Sequence, residues 1–411
     1  MPSLNRLQKY AELTVKAGVN LQKGQPLMIS ANVDTKDFVR VIVEEAYKAG
    51  ASSVSVRWND EYVMKSAFEY ESKESLTEVP DYLVKQYEYY IEKGYALISV
   101  HAETPGLLAD VDSEKQTAFW VARSKALKPW REHTMGNRTQ WCVISIPTPG
   151  WALKVFPGLK EDQAIEKMWD AILDAVRVQE DNHPVEEWKK HSARLHGYNE
   201  KLNAYNFKSL HFKNSVGTDL VVELVKDHQW AGGNETSTKG IDFNANMPTE
   251  ENFCMPYKFG VNGKVVASKP LDFNGTLIKD FWFEFKEGKV VNYDAKEGLE
   301  SLKSLVEFDE NSCYLGEVAL VNYESPISQS GILYMNTLFD ENASCHLALG
   351  RAYPMNVKGG TEMTQEQLDA IGSNNSMAHE DFMFGTKDLS VVGLTHDGKE
   401  VIVFKDGNYA F

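Results

Sequence analysis

Hydrophobic positions in the first half of the chain alternate between short apolar runs and segments of helical spacing. Leu27-Met28-Ile29 is a short run opened by Gly24-Gln25-Pro26. Val39, Ile42, Val43 and Ala46 then recur at helical intervals up to Gly50, and Ser53-Val54-Ser55-Val56 reads as the next strand. The signal repeats. Residues 80–93 carry a helical pattern that stops at Gly94, ahead of Ala96-Leu97-Ile98-Ser99-Val100. Residues 116–125 read as helix and Cys142-Val143-Ile144-Ser145-Ile146 as a buried strand. Residues 161–178 place Ile165, Met168, Trp169, Ile172, Leu173 and Val176 on one stripe. Such alternation predicts a mostly parallel sheet with helices on its faces.

Near residue 200 the pattern changes. Residues 207–212 and 219–225 flank Asn214-Ser215-Val216-Gly217, a hairpin signal. Asn262-Gly263 predicts a two-residue turn between Phe259 and Val265-Val266, and Glu287-Gly288 predicts another between residues 281–285 and Val290-Val291. Helical patterns are confined to residues 299–306, 336–341 and 365–371, the last with Thr364 and Gln367 spaced as a capping box. The second half therefore reads as α+β with a largely antiparallel sheet. At 411 residues the chain exceeds one ordinary core, so two domains are expected, an α/β domain over 1–195 and an α+β domain over 196–411.

Charge narrows the function classes. With 43 basic and 59 acidic residues the formal net charge is −16, which argues against a nucleic-acid partner, since phosphate binding needs clustered Lys and Arg. Four cysteines without a C-x-x-C pair argue against a disulfide framework and fit a reducing compartment. The amphipathic start is unlike a signal peptide, and no apolar run approaches the ~20 residues of a membrane span. A cytoplasmic protein with no membrane partner is expected.

The chemistry concentrates in the last third. His379-Glu380-Asp381, read as extended, turns His379 and Asp381 to one side and Glu380 to the other. His346 sits in the apolar stretch Ala343-Ser344-Cys345-His346-Leu347-Ala348, and Tyr353 follows it. Glu317 opens an apolar strand, where an unpaired carboxylate would cost several kcal/mol. Glu250-Glu251 is a paired carboxylate after Met247-Pro248-Thr249. Each has an ordinary explanation by itself: a satisfied core histidine, a packed tyrosine, an edge-strand glutamate, an acidic loop. Together, imidazole and carboxylate suit Zn, Co or Mn, and several carboxylates favour two ions. In an adjacent Glu pair, one residue can bind metal while the other carries protons.

These segments resemble the thermophilic-type metalloaminopeptidase family of aminopeptidases T and S, most of all its aminopeptidase S (PepS) branch from Gram-positive bacteria. The likeness rests on Met-Pro-Thr-Glu-Glu at 247–251, Gly316-Glu317, residues 344–353, Gly350-Arg351-Ala352-Tyr353-Pro354, and His379-Glu380-Asp381-Phe382-Met383. The resemblance implies a hydrolase that removes N-terminal residues from peptides with a free N-terminus, using two divalent metal ions (Zn, Co or Mn). It implies Glu251, Glu317, His346, Tyr353, His379 and Asp381 as metal ligands and Glu250 as the catalytic acid/base, with exchange of Glu250 and Glu251 left open. It also implies a homodimer with the active site in the second domain and access controlled by the first. Two rivals use the same residues: another metallohydrolase (esterase or phosphatase), and a non-enzymatic peptide-binding protein with a structural metal. The absence of a Gly-rich phosphate cradle disfavours a phosphatase, and the scarcity of Cys ligands disfavours a structural zinc.

Overall fold

The computed structural model describes residues 2–273 and 276–411. The chain divides into two compact units, residues 1–190 with 234–248, and residues 191–233 with 249–411.

The first unit is built on four parallel strands, β1 (Leu27–Asn32), β2 (Val54–Asn59), β3 (Ala96–His101) and β4 (Trp141–Ser145), in the order β2-β1-β3-β4. The connections are helical, as the sequence pattern predicts. Lys36–Lys48 links β1 to β2 and buries Val39, Ile42 and Ala46 completely. Asp81–Lys93 leads to β3 and ends on Gly94, whose φ of 68° is the left-handed cap that glycine adopts without penalty. A later segment returns to this unit. It carries a short antiparallel ladder in which Glu235–Thr236 pairs with Asp242–Phe243. Ala245 and Met247 of that segment exchange backbone hydrogen bonds with Val143 of β4 at 2.7 and 2.9 Å.

The second unit contains two antiparallel sheets. The strands of the larger sheet are β5 (Phe207–Lys213), β6 (Asp219–Leu224), β8 (Pro256–Val266), β9 (Leu271–Phe273), β10 (Thr276–Lys286), β11 (Lys289–Glu297), β15 (Ser390–Thr395), β16 (Glu400–Lys405) and β17 (Asn408–Tyr409). The smaller sheet has the order β14 (His379–Met383), β13 (His346–Gly350), β12 (Leu315–Val321), β7 (Glu251–Cys254). The hairpin predicted at Glu287-Gly288 is present, with both residues at positive φ. So is the capping box of Thr364 and Gln367.

The turn predicted at Asn262-Gly263 is not there. Both residues lie inside β8 and pair with Val221 and Leu220 of β6. Gly263 has φ +117°, and a Cβ on it would stand 2.2 Å from the Asp219 carbonyl oxygen. Here glycine permits a close strand approach instead of a reversal.

The smaller sheet explains its own sequence. Cys254, Val318, Leu320, Leu347, Leu349 and Phe382 alternate onto one face and join the hydrophobic core. The register Val321–Glu251, Glu317–Ala348, Ala319–His346, Ala348–Asp381 and Gly350–His379 turns the other face toward the polar residues. Period-two alternation thus separates an apolar face from a chemical one.

Candidate metal centre

Residues directly opposite in an antiparallel ladder project to the same side. Glu251, Glu317, His346, His379 and Asp381 therefore leave one face of the small sheet, from all four of its strands. The central strand β13 offers His346, Ala348 and Gly350 on that face. Ala348 lies between Glu317 and Asp381, and Gly350 is opposite His379. These two small residues leave space where larger side chains would fill it.

The side chains converge. Nε2 of His346 lies 3.1 Å from Glu251 Oε2, 3.5 Å from Glu317 Oε1 and 3.9 Å from Asp381 Oδ1. Nε2 of His379 lies 3.8 Å from Glu317 Oε2 and 3.7 Å from Asp381 Oδ2. Glu251, Glu317 and His346 each offer a ligand atom within 4.8 Å of the others. The Tyr353 ring packs 4.8 Å from that of His379.

Both imidazoles are oriented from behind. Nδ1 of His346 meets the Ser344 carbonyl at 3.1 Å, and Nδ1 of His379 meets the Arg351 carbonyl at 2.7 Å. A carbonyl only accepts, so Nδ1 carries the proton in each ring. In the neutral rings Nε2 presents a lone pair to carboxylate oxygens, which is repulsive unless a cation or proton lies between them.

The electrostatics agree. Burial, with Asp381 and Glu251 nearby, pushes the Glu317 carboxyl up to about 7. Burial alone would lower His346, but hydrogen bonds to Glu251 and Glu317 hold it well above its ordinary value. Burial likewise opposes His379, and Asp381 and Glu317 raise it. Burial raises the Tyr353 phenol strongly, and the surrounding carboxylates add to this. One oxygen of Asp381 is buried without a hydrogen-bond partner. The groups thus compete for positive charge, and imidazole with carboxylate is a donor set that suits borderline divalent cations.

Glu250, next to Glu251 in the chain, sets its Oε2 3.7 Å from Nε2 of His191. Arg194 approaches Nδ1 of His191 at 3.0 Å, and guanidinium only donates, so Nε2 carries the proton, which it donates to the Thr249 carbonyl at 2.7 Å. Glu341 belongs to the electrostatic environment of the centre and escaped sequence reading. Burial, followed by the charges of Glu251 and Asp381, raises its carboxyl well above the ordinary value. It lies in a short 3-10 turn, Glu341–Ala343, with no periodicity to expose it. The only sequence signal was an acidic residue five positions before His346, set between the polar residues Asp340 and Asn342. Its neighbour Asn342 accepts from the Glu250 backbone N–H at 2.7 Å and contacts Glu341 Oε1 at 3.3 Å.

The fold and this cluster define a metal-dependent peptidase class, and the comparisons agree. The model of the thermophilic metalloprotease family (M29) matches residues 3–409, and the chain belongs to that family. It is 46% identical over 406 residues to aminopeptidase AmpS of Bacillus subtilis (strain 168), covering 99% of this chain and 98% of the relative. It is 38% identical to aminopeptidase PepS of Streptococcus thermophilus, covering 98% and 97%. The solved structure of wild-type AmpT from Thermus thermophilus superposes with a TM-score of 0.92 at 37% identity, covering 99% of each chain. No helix among the described residues is long and apolar enough to cross a membrane.

Proposed function

We propose that the protein is a metal-dependent aminopeptidase whose centre holds two divalent cations of the Zn, Co or Mn type. The observation that carries this reading is the pair of imidazoles whose Nδ1 protons are given to backbone carbonyls while Nε2 faces carboxylates. Glu251, Glu317, His346, His379 and Asp381 are the proposed ligands, with the Tyr353 hydroxyl beside them. Glu341 adds a fourth carboxylate to those of Glu251, Glu317 and Asp381. Four carboxylates balance the charge of two divalent cations, whereas one would leave buried negative charge uncompensated.

Bound there, divalent cations supply Lewis acidity to the scissile carbonyl and to the attacking water. The chain's residues handle the protons and the substrate. Glu250 is assigned the proton-carrying role, its carboxylate set beside the Nε2–H of His191. It takes a proton from water as the C–O bond forms and returns it to the leaving nitrogen as the C–N bond breaks. The acidic surroundings favour the substrate's free α-ammonium, which fits removal of N-terminal residues. The same reading includes a homodimer in the cytoplasm and a first unit that governs access to the centre.

Chelator treatment tests this. Stripped protein should fail to hydrolyse leucine anilide and should recover on addition of Zn, Co or Mn. The N-acetylated anilide should stay uncleaved throughout. Turnover indifferent to chelation, or equal cleavage of the blocked substrate, contradicts the reading.

A further inference from the structure

Parallel sheets flanked by helices are normally covered on both faces and apolar on both. The four-stranded sheet of the first unit is apolar on one face only. Ile29 and Ala31 of β1 and Ile98 and Val100 of β3 are buried on that face. The other face turns polar toward the C-terminal ends of the strands. Arg57, Ser30 and Ser99 stand side by side there on β2, β1 and β3, because Ser30 pairs with both of the others. Two residues further along, Asn59 lies opposite Asn32, and His101 lies opposite Ser145 of β4. Nδ2 of Asn59 donates to Ser30 Oγ at 3.1 Å, and Asn32 Oδ1 accepts from the Asp34 N–H at 3.0 Å.

This polar region is open. Nearer the N-terminal ends of the strands the same face is roofed, where Met28 and Leu97 pack with Tyr90 and Trp130, and Ser55 Oγ meets the Tyr90 hydroxyl at 3.0 Å. Beyond that roof Ser30, Arg57 and Ser99 are half-buried and Asn59 and His101 are exposed, although β1 and β3 are the two central strands. The chain leaves β1 for β2 on one side and β3 for β4 on the other. The opening therefore falls at the topological switch point, where open parallel sheets hold ligands. Two groups there want a partner. Ser145 Oγ is buried without a hydrogen-bond partner among the described residues. Arg57 touches the ring and hydroxyl of Tyr87, but among the described residues no carboxylate pairs with it, whereas Arg6 and Arg40 of the same unit are ion-paired. One guanidinium among neutral hydroxyl and amide groups matches the single charge of a carboxylate. A dinucleotide or phosphate would want a glycine-rich turn after β1. That turn is Asn32-Val33-Asp34-Thr35, with no glycine and one acid.

We propose that the crevice over Ser30 and Ser99 binds the carboxylate of an amino acid or of a peptide C-terminus, with Arg57 as its counter-ion. The site shares no residue with the acidic centre and does not depend on its reading. The test is calorimetric titration of the intact, metal-loaded protein with leucine, with N-acetylleucine and, as the capped control, with N-acetylleucinamide. The same titrations are made on Arg57→Gln and on Ser99→Leu, which fills the crevice, with folding checked by circular dichroism. Wild type should bind at least one of the two carboxylates and not the amide. Both variants should bind it about tenfold more weakly or worse, the scale of one charge-assisted hydrogen bond. Binding of leucine alone assigns a free amino acid, and binding of N-acetylleucine assigns a peptide C-terminus. No carboxylate binding by wild type overturns the proposal, as does equal binding of the amide. Affinity that persists unchanged in either folded variant, the result that binding at the acidic centre would give, also overturns it.

Discussion

Nδ1 of His346 and of His379 is spent on a backbone carbonyl, and that leaves each imidazole one ring nitrogen for the centre. A residue-level test follows from the adjacent glutamates. Glu251 is 3.1 Å from His346, whereas Glu250 is directed to His191. Glu251→Gln is expected to lower metal content at least tenfold. Glu250→Gln is expected to keep the metal and lower kcat by ~10²-fold or more, the usual scale for loss of a general acid/base. Metal analysis and steady-state rates on the two variants separate the roles, and equal metal loss in both would contradict the assignment. Glu317 carries a second prediction. Its ordinary value is 4.5 and its folded value about 7, so between them the metal-free folded state holds a proton that the unfolded chain has released. Stability of metal-free protein should therefore fall as pH rises through that window. Calorimetry should give a lower Tm for stripped protein at pH 8 than at pH 5.5, and a larger gain on adding metal at pH 8. A metal-dependent gain that shrinks at the higher pH would count against the site.

At the scale of elements, the small sheet does the positioning. Its register places Ala348 between Glu317 and Asp381 and keeps the bulky residues Leu347 and Leu349 on the core face. Ala348→Leu should push a side chain between the two carboxylates. It is expected to cost ~1–3 kcal/mol of stability and to reduce metal binding while circular dichroism stays unchanged. Retained full metal content in that folded variant would contradict the packing argument. Gly350→Ala is more severe, since φ is +107° and the new Cβ would meet the Ala378 carbonyl oxygen at 2.2 Å. These elements also mark what was legible in the sequence. The alternation in residues 379–383 was readable as a strand because His379 and Asp381 share one parity and Phe382 takes the other. Asn262-Gly263 misled because a turn pair and a close strand approach use the same glycine freedom. Glu341 was invisible because charge in a three-residue turn leaves no periodic trace, and its relation to Glu251 exists only across the fold.

For the whole molecule, the alternating first half and the hairpin-rich second half were both visible in hydrophobic period. The return of residues 234–248 to the first unit was not, because its strands are two residues long and its anchors are backbone hydrogen bonds to Val143, Gly18 and Asn137 that carry no side-chain pattern. The central claim is the proposal that joins the acidic centre to its activity by charge: the carboxylates of Glu251, Glu317, Glu341 and Asp381 would be balanced by two divalent cations. The most direct measurement is a titration of chelator-stripped protein with Zn, Co or Mn, with bound metal counted per chain as leucine anilide hydrolysis is followed. Activity should be absent in stripped protein and should level off at two bound cations per chain. Hydrolysis without bound metal, or full activity at a single cation, would contradict the account.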